Sequence, residues 1–168
     1  IILVPLVVIF LMDGAFLKAL IFFTISGITD ALDGALARIL NQQTLIGSYL
    51  DPIADKALLL SCFLSLAIMD VIPGWLTVIV VSRDFIILVG VSILSMIGVP
   101  FEIHPALVSK ITTVLQLLTV FFVLLFQCIP ENLNYTWVMI LYWFTAFFTI
   151  VSGLNYMMRG IKFINHHV

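Results

Sequence analysis

Four aspartates, Asp30, Asp33, Asp51 and Asp55, fall within the stretch DALDGALARILNQQTLIGSYLDPIAD of an otherwise apolar chain. Asp30 and Asp33 are three positions apart, Asp51 and Asp55 four. On a helix either spacing puts both side chains on one face. At roughly 100° per residue, Asp30, Asp33, Gly34, Ala37 and Arg38 share a sector of about 140°, and Gly47, Asp51 and Asp55 one of about 80°. The short polar connector NQQT at 41–44 makes the two helices antiparallel neighbours, so the two carboxylate pairs are expected to converge.

Four carboxylates around one point cannot all ionise unaided, because each raises the pKa of the others. Arg38, Lys56 and Arg83 could pair with them, but three bases do not balance four acids plus Asp84. Two divalent cations would supply the missing charge. Oxygen donors without Cys or His beside them favour a hard ion, Mg²⁺ or Mn²⁺. Two such ions at a membrane surface can polarise a phosphoryl group. Gly34, Ala37 and Gly47 leave room for a bulky ligand, although small residues in membrane helices also serve close packing. Arg38 can clamp a phosphate or pin an aspartate.

The elements that carry these residues belong to a membrane. The chain has 168 residues, 63% hydrophobic and 10% charged, where a soluble domain is nearer half apolar and about a quarter charged. Neither 111–130 nor 132–158 contains Asp, Glu, Lys or Arg, and a transmembrane helix needs about 20 such residues. Turn signals at MDGAFLK, NQQT, DVIPGW, GVPFEIHP and PENLN divide the chain into six spans. The second runs from about Phe16 to Leu40, the third from Ile46 to Met69, the fourth to Ile97, the fifth from Ala106 to Ile129 and the sixth to Met158. The expectation is an all-α integral membrane protein, a six-helix transmembrane bundle forming one domain over 1–168. The chain opens inside an apolar run, IILVPLVVIFLM, so its first helix reads as truncated.

Charge sets the expected orientation. One side of a six-span arrangement owns Arg38, Lys110, Arg159 and Lys162, the other only Lys18. The positive-inside rule puts the richer side, and with it both termini, in the cytoplasm. Cys62 and Cys128 lie in apolar runs and read as buried small hydrophobes. His104, His166 and His167 read as interfacial or tail residues rather than metal ligands. There are no basic runs, and no nucleic-acid partner is expected.

The pattern Asp30-x2-Asp33-Gly34-x2-Ala37-Arg38-x8-Gly47-x3-Asp51-x3-Asp55 resembles, position for position, the signature of the CDP-alcohol phosphatidyltransferases. Eight defined positions make this a specific signal. The resemblance implies six transmembrane helices, a homodimer, and an active site open to the cytoplasm, here of a bacterial cytoplasmic membrane. It implies that a CDP-linked lipid, usually CDP-diacylglycerol, gives its phosphatidyl group to an alcohol and CMP leaves. Carried over, Asp30, Asp33 and Asp51 are metal ligands. Asp55 is the base that takes the acceptor's proton and also a possible ligand, while Gly34, Ala37, Arg38 and Gly47 shape the nucleotide and phosphate site.

Two further stretches, SRD at 82–84 and SKITTVLQ at 109–116, resemble motifs of phosphatidylglycerophosphate synthases and of mitochondrial-type cardiolipin synthases. WFTAFFTIVSGLNYMMRG at 143–160 resembles both groups without separating them. The acceptor implied is glycerol 3-phosphate in the first group and phosphatidylglycerol in the second. Either carries a phosphate, for which Arg83, Lys110 and Lys56 are the candidate partners. Asp rather than Glu after Arg83 is closer to the cardiolipin synthases, yet glycerol 3-phosphate is the acceptor expected. Two other classes use acidic membrane helices. A magnesium-dependent prenyltransferase would be longer and would lack the Gly-x2-Ala-Arg that follows Asp33. A divalent-cation transporter would place its acids at the bilayer centre rather than near one surface.

Overall fold

Apolar runs form helices here until a residue that tolerates left-handed backbone turns the chain. The computed structural model describes residues 3–39, 45–96, 107–129 and 136–167, with side chains at 3–29, 55–90, 108–129 and 136–158. Among the described residues there are six helices and no strand. They are α1 (Leu3–Met12), α2 (Phe16–Ile39), α3 (Leu45–Ile68), α4 (Gly74–Met96), α5 (Leu107–Cys128) and α6 (Thr136–His167). The chain is therefore all-α. The connectors expected at 41–44, 98–105 and 130–134 lie outside the described residues.

Two helix ends show how the turns are made. After α1, Gly14 adopts φ +68°, its N–H donates to Leu11 C=O at 2.9 Å, and Ala15 N–H reaches back to Phe10 C=O at 2.9 Å. After α3 the same pair of bonds recurs, from Asp70 N–H to Ala67 C=O at 3.1 Å and from Val71 N–H to Leu66 C=O at 2.9 Å. Both are Schellman caps, which satisfy the last carbonyls of a helix through one left-handed residue. Glycine takes that conformation freely. Asp70 takes it at φ 54°, and aspartate is among the few L-residues that visit it routinely.

By length and composition, two described segments can cross a membrane, Val108–Cys128 within α5 and Thr136–Met158 within α6. The last helix outruns its span: the apolar segment ends at Met158, as expected, but α6 continues to His167. The apolar requirement ends where the polar residues begin, whereas backbone hydrogen bonding does not. Arg159 and Lys162 are good helix formers and continue the element.

The chain divides into two compact units. The first comprises Ile1–Ile72 with Val120–Asn134, and in it α1 packs against both α2 and α3. Buried Val7 and Leu11 on α1, and Leu59, Cys62, Phe63 and Leu66 on α3, recur at the helical period. Phe10 stacks on Phe22 with ring centroids 5.2 Å apart, and the Lys18 ammonium lies 5.7 Å from the Phe10 centroid. Cys62 is buried, and both it and Cys128 are free thiols.

The second unit comprises Pro73–Thr119 with Tyr135–Val168, and α4 packs on α6 within it. Its buried interior is unusually polar: Arg83, Thr112, Gln116, Thr119, Thr145, Thr149 and Ser152 are all buried. On α5 the positions 112, 116 and 119, and on α6 the positions 145, 149 and 152, each follow the three-and-four spacing of one helix face. Thr119 Oγ1 lies 2.7 Å from Thr145 Oγ1, Gln116 Nε2 reaches Thr149 Oγ1 at a long 3.5 Å, and the single Thr112 hydroxyl hydrogen is shared between Val108 C=O at 2.8 Å on its own helix and Phe148 C=O at 3.0 Å on α6. Thr119 Oγ1 also donates to Leu115 C=O at 2.7 Å. With its single hydrogen spent there, Thr145 is the donor between the helices. Without water in a bilayer core, polar side chains seek partners on neighbouring helices.

Candidate active site

The eight motif residues all fall on regular helix. Asp30, Asp33, Gly34, Ala37 and Arg38 occupy the C-terminal part of α2, and Gly47, Asp51 and Asp55 the N-terminal part of α3. The helical sectors worked out from spacing therefore hold on the backbone, and all eight positions lie in the first unit. The side chains of Asp30, Asp33, Gly34, Ala37, Arg38, Gly47 and Asp51 lie outside the described residues. Asp55 is described; its side chain is exposed and engaged by a partner. Lys56, its neighbour on α3, is likewise exposed and engaged.

Among described side chains, no group of three or more His, Cys, Asp or Glu comes together to hold a metal. Only Asp55 of the four motif aspartates belongs to that set. The donors of the motif are carboxylate oxygens alone, and that chemistry fits a hard divalent ion.

Of the three cations expected to meet an acceptor phosphate, Arg83 and Lys110 lie in the second unit and Lys56 in the first. Arg83 is 5% exposed. Its Nη1 pairs with Asp84 Oδ1 at 2.5 Å, and the Asp84 side chain is 14% exposed. Its Nη2 donates to Ser109 Oγ at 2.6 Å and to Ser152 Oγ at 3.0 Å. Nε is buried and meets no acceptor. Gly153 lies beside the stem, where an added Cβ would stand 3.6 Å from Arg83 Cγ, an ordinary contact. Arg83 is thus held by α4, α5 and α6 at once. Lys110, next in sequence to Ser109, is exposed.

The partners of this arginine were not expected from the sequence: Ser109 opens SKITTVLQ and Ser152 lies within WFTAFFTIVSG. The available signal was their place in the two polar rows, 109-112-116-119 on α5 and 145-149-152 on α6. An intramembrane row of Ser, Thr and Gln at helical spacing marks a face that meets another polar face.

The family model for CDP-alcohol phosphatidyltransferase matches residues 1–151. The chain is similar to the CDP-diacylglycerol--glycerol-3-phosphate 3-phosphatidyltransferase of Bacillus subtilis (strain 168), at 32% identity over 146 residues, covering 87% of this chain and 75% of that protein. It is similar to the cardiolipin synthase (CMP-forming) of Homo sapiens, at 32% identity over 179 aligned positions, covering 95% of this chain and 58% of that protein. A cardiolipin synthase (CMP-forming) of Streptomyces coelicolor is 42% identical over 82 residues, 49% of this chain and 38% of that one. The chain thus spans three quarters of the bacillar relative and little more than half of the human one. With the family model matched over most of the length and the signature aspartates on consecutive helices, the chain belongs to the CDP-alcohol phosphatidyltransferase family.

Proposed function

We propose that the chain moves the phosphatidyl group of CDP-diacylglycerol to the hydroxyl of glycerol 3-phosphate and releases CMP, a step of phospholipid synthesis. The observation that carries this is the similarity over 87% of the chain to the bacillar protein named for that reaction. The eight-position signature on α2 and α3 is its chemical counterpart.

In this reading Asp55 takes the proton of the acceptor hydroxyl. The freed oxygen attacks the phosphorus that carries diacylglycerol, and the bond from that phosphorus to the cytidylate breaks. A hydroxyl is a poor nucleophile at neutral pH, and a placed base contributes about 10²–10⁴-fold. Asp30, Asp33 and Asp51, with Asp55, would hold two Mg²⁺ or Mn²⁺ ions. When bound, the ions neutralise the diphosphate and the charge that builds on the departing phosphate. Gly34, Ala37 and Gly47 give the nucleotide room against the helix backbones, and Arg38 steadies its phosphate. Arg83, Lys110 and Lys56 are the cations for the acceptor's phosphate.

The same reading takes residues 1–168 as one family domain with six membrane spans, in a homodimer. It lies in a bacterial cytoplasmic membrane, with the site and both termini on the cytoplasmic side. A second acceptor, phosphatidylglycerol, is favoured by one specific feature, the aspartate rather than glutamate after Arg83 in SRD, and by the human relative's name. The test is CMP release by the purified chain with Mn²⁺ or Mg²⁺, CDP-diacylglycerol and either glycerol 3-phosphate or phosphatidylglycerol. Turnover with glycerol 3-phosphate is expected; turnover with phosphatidylglycerol alone moves the chain to the second reading. No CMP with either overturns both.

A further inference from the structure

Arg83 differs from the other candidate cations in being enclosed and oriented. A guanidinium is a rigid planar fork of five N–H donors. Here the fork is fixed at three points, to Asp84 through Nη1 and to Ser109 and Ser152 through Nη2. Those serines stand on α5 and α6, so their two hydroxyls determine the plane of the guanidinium between the helices. Within that plane Nε is buried and meets no acceptor. A buried donor left unmet is destabilising, the more so when it is charged. Proteins keep such groups mainly where a ligand, ion or water completes them.

We propose that Ser109 and Ser152 are positioning residues, a two-hydroxyl clamp that turns Arg83 so that its Nε meets a phosphate oxygen of the acceptor. This rests on the phosphatidyltransferase reading for the identity of the acceptor. The clamp itself concerns a phosphate ligand, as a monoester in glycerol 3-phosphate or a diester in phosphatidylglycerol. The serines do not touch the ligand; they act through the arginine. Each hydroxyl that accepts from Nη2 removes a direction in which the guanidinium could otherwise turn. Serine is small enough to sit against Arg83 from both helices.

The test uses the full chain in detergent micelles without CDP-lipid. Glycerol 3-phosphate and a short-chain phosphatidylglycerol are titrated calorimetrically in separate arms. Ser109→Ala and Ser152→Ala together should weaken binding of the favoured probe roughly ten-fold, about the worth of one charge-assisted hydrogen bond. Ser152→Thr, which keeps a hydroxyl, should restore most of the affinity in a background with Ser109 intact. In turnover assays the same alanine pair should raise the acceptor KM and leave kcat and the CDP-diacylglycerol KM within about two-fold, the split expected when uniform binding is lost. A lost hydrogen bond that served only the fold would not divide the two substrates in this way.

A second measurement does not depend on the alanine pair folding. The Arg83 Nε–H resonance of the unaltered protein, assigned by its loss in Arg83→Lys, should shift when the favoured probe is added. Binding by neither probe, an unmoved Nε signal on saturation, or full affinity in the alanine pair overturns the clamp. Probe binding with the Nε shift but no CMP release under the conditions above overturns the phosphatidyltransferase reading and leaves the clamp standing.

Discussion

Arg83 on α4 reaches Ser152 on α6, with 3.0 Å between Nη2 and Oγ across 69 positions of sequence. The bond sits at one end of a polar column whose other members are Thr112, Gln116, Thr119, Thr145 and Thr149. From position 109 to 119 the column rises about 15 Å along α5, half the thickness of a bilayer core of about 30 Å. Polar pairing, rather than apolar fit alone, therefore sets how α5 and α6 register against each other.

Thr119 and Thr145 give that register a measurable strength. Thr119→Val and Thr145→Val, singly and together, form a double-mutant cycle on thermal unfolding in detergent. The coupling should be about 0.6 kcal/mol, the average found for interhelical hydrogen bonds in membranes. A coupling indistinguishable from zero would mean that the 2.7 Å contact contributes nothing to helix association.

The motif aspartates should separate by role. Asp55→Asn should lower turnover by about 10²–10⁴-fold, the usual contribution of a general base, while CDP-diacylglycerol binding stays near normal. Asp30→Asn should instead raise the Mn²⁺ concentration needed for half-maximal rate, and EDTA should abolish activity until Mn²⁺ is returned. Near-normal turnover in Asp55→Asn would remove it from the role of base.

Asp70 tests the backbone. Its left-handed φ of 54° closes the cap of α3. Asp70→Gly should unfold at the same temperature as the original chain or higher, since glycine enters this region without strain. Asp70→Val should be destabilised by about 1–2 kcal/mol, the steric cost of left-handed backbone for an L-residue. Equal melting temperatures for the two variants would show that the cap does not govern the stability of this turn.

Much of the architecture was legible because membranes make hydropathy and punctuation speak together. Gly14 and the Pro73–Gly74 pair mark the boundaries where α1 ends and α4 begins, and the observed ends lie within a few residues of the expected ones. Hydropathy could not find the end of α6, since it reports where lipid stops and not where the helix does. Nor could it tell that Asp70 stands where a glycine would be expected. The motif's helical placement was legible from spacing, because an i, i+3 and i, i+4 pattern has one meaning on a helix. Arg83 was legible as a charge out of place. Its serine partners were not, because Ser109 and Ser152 are unremarkable singly and acquire meaning only once α4, α5 and α6 bring three distant segments together.

The continuous run of α6 from Thr136 to His167 has a structural consequence. Its 32 residues extend about 48 Å, of which the 23 from Thr136 to Met158 account for about 35 Å. The remaining nine residues carry the helix about 13 Å beyond the apolar segment, so Arg159 and Lys162 stand on the same continuous backbone as Ser152 rather than on a separate connector.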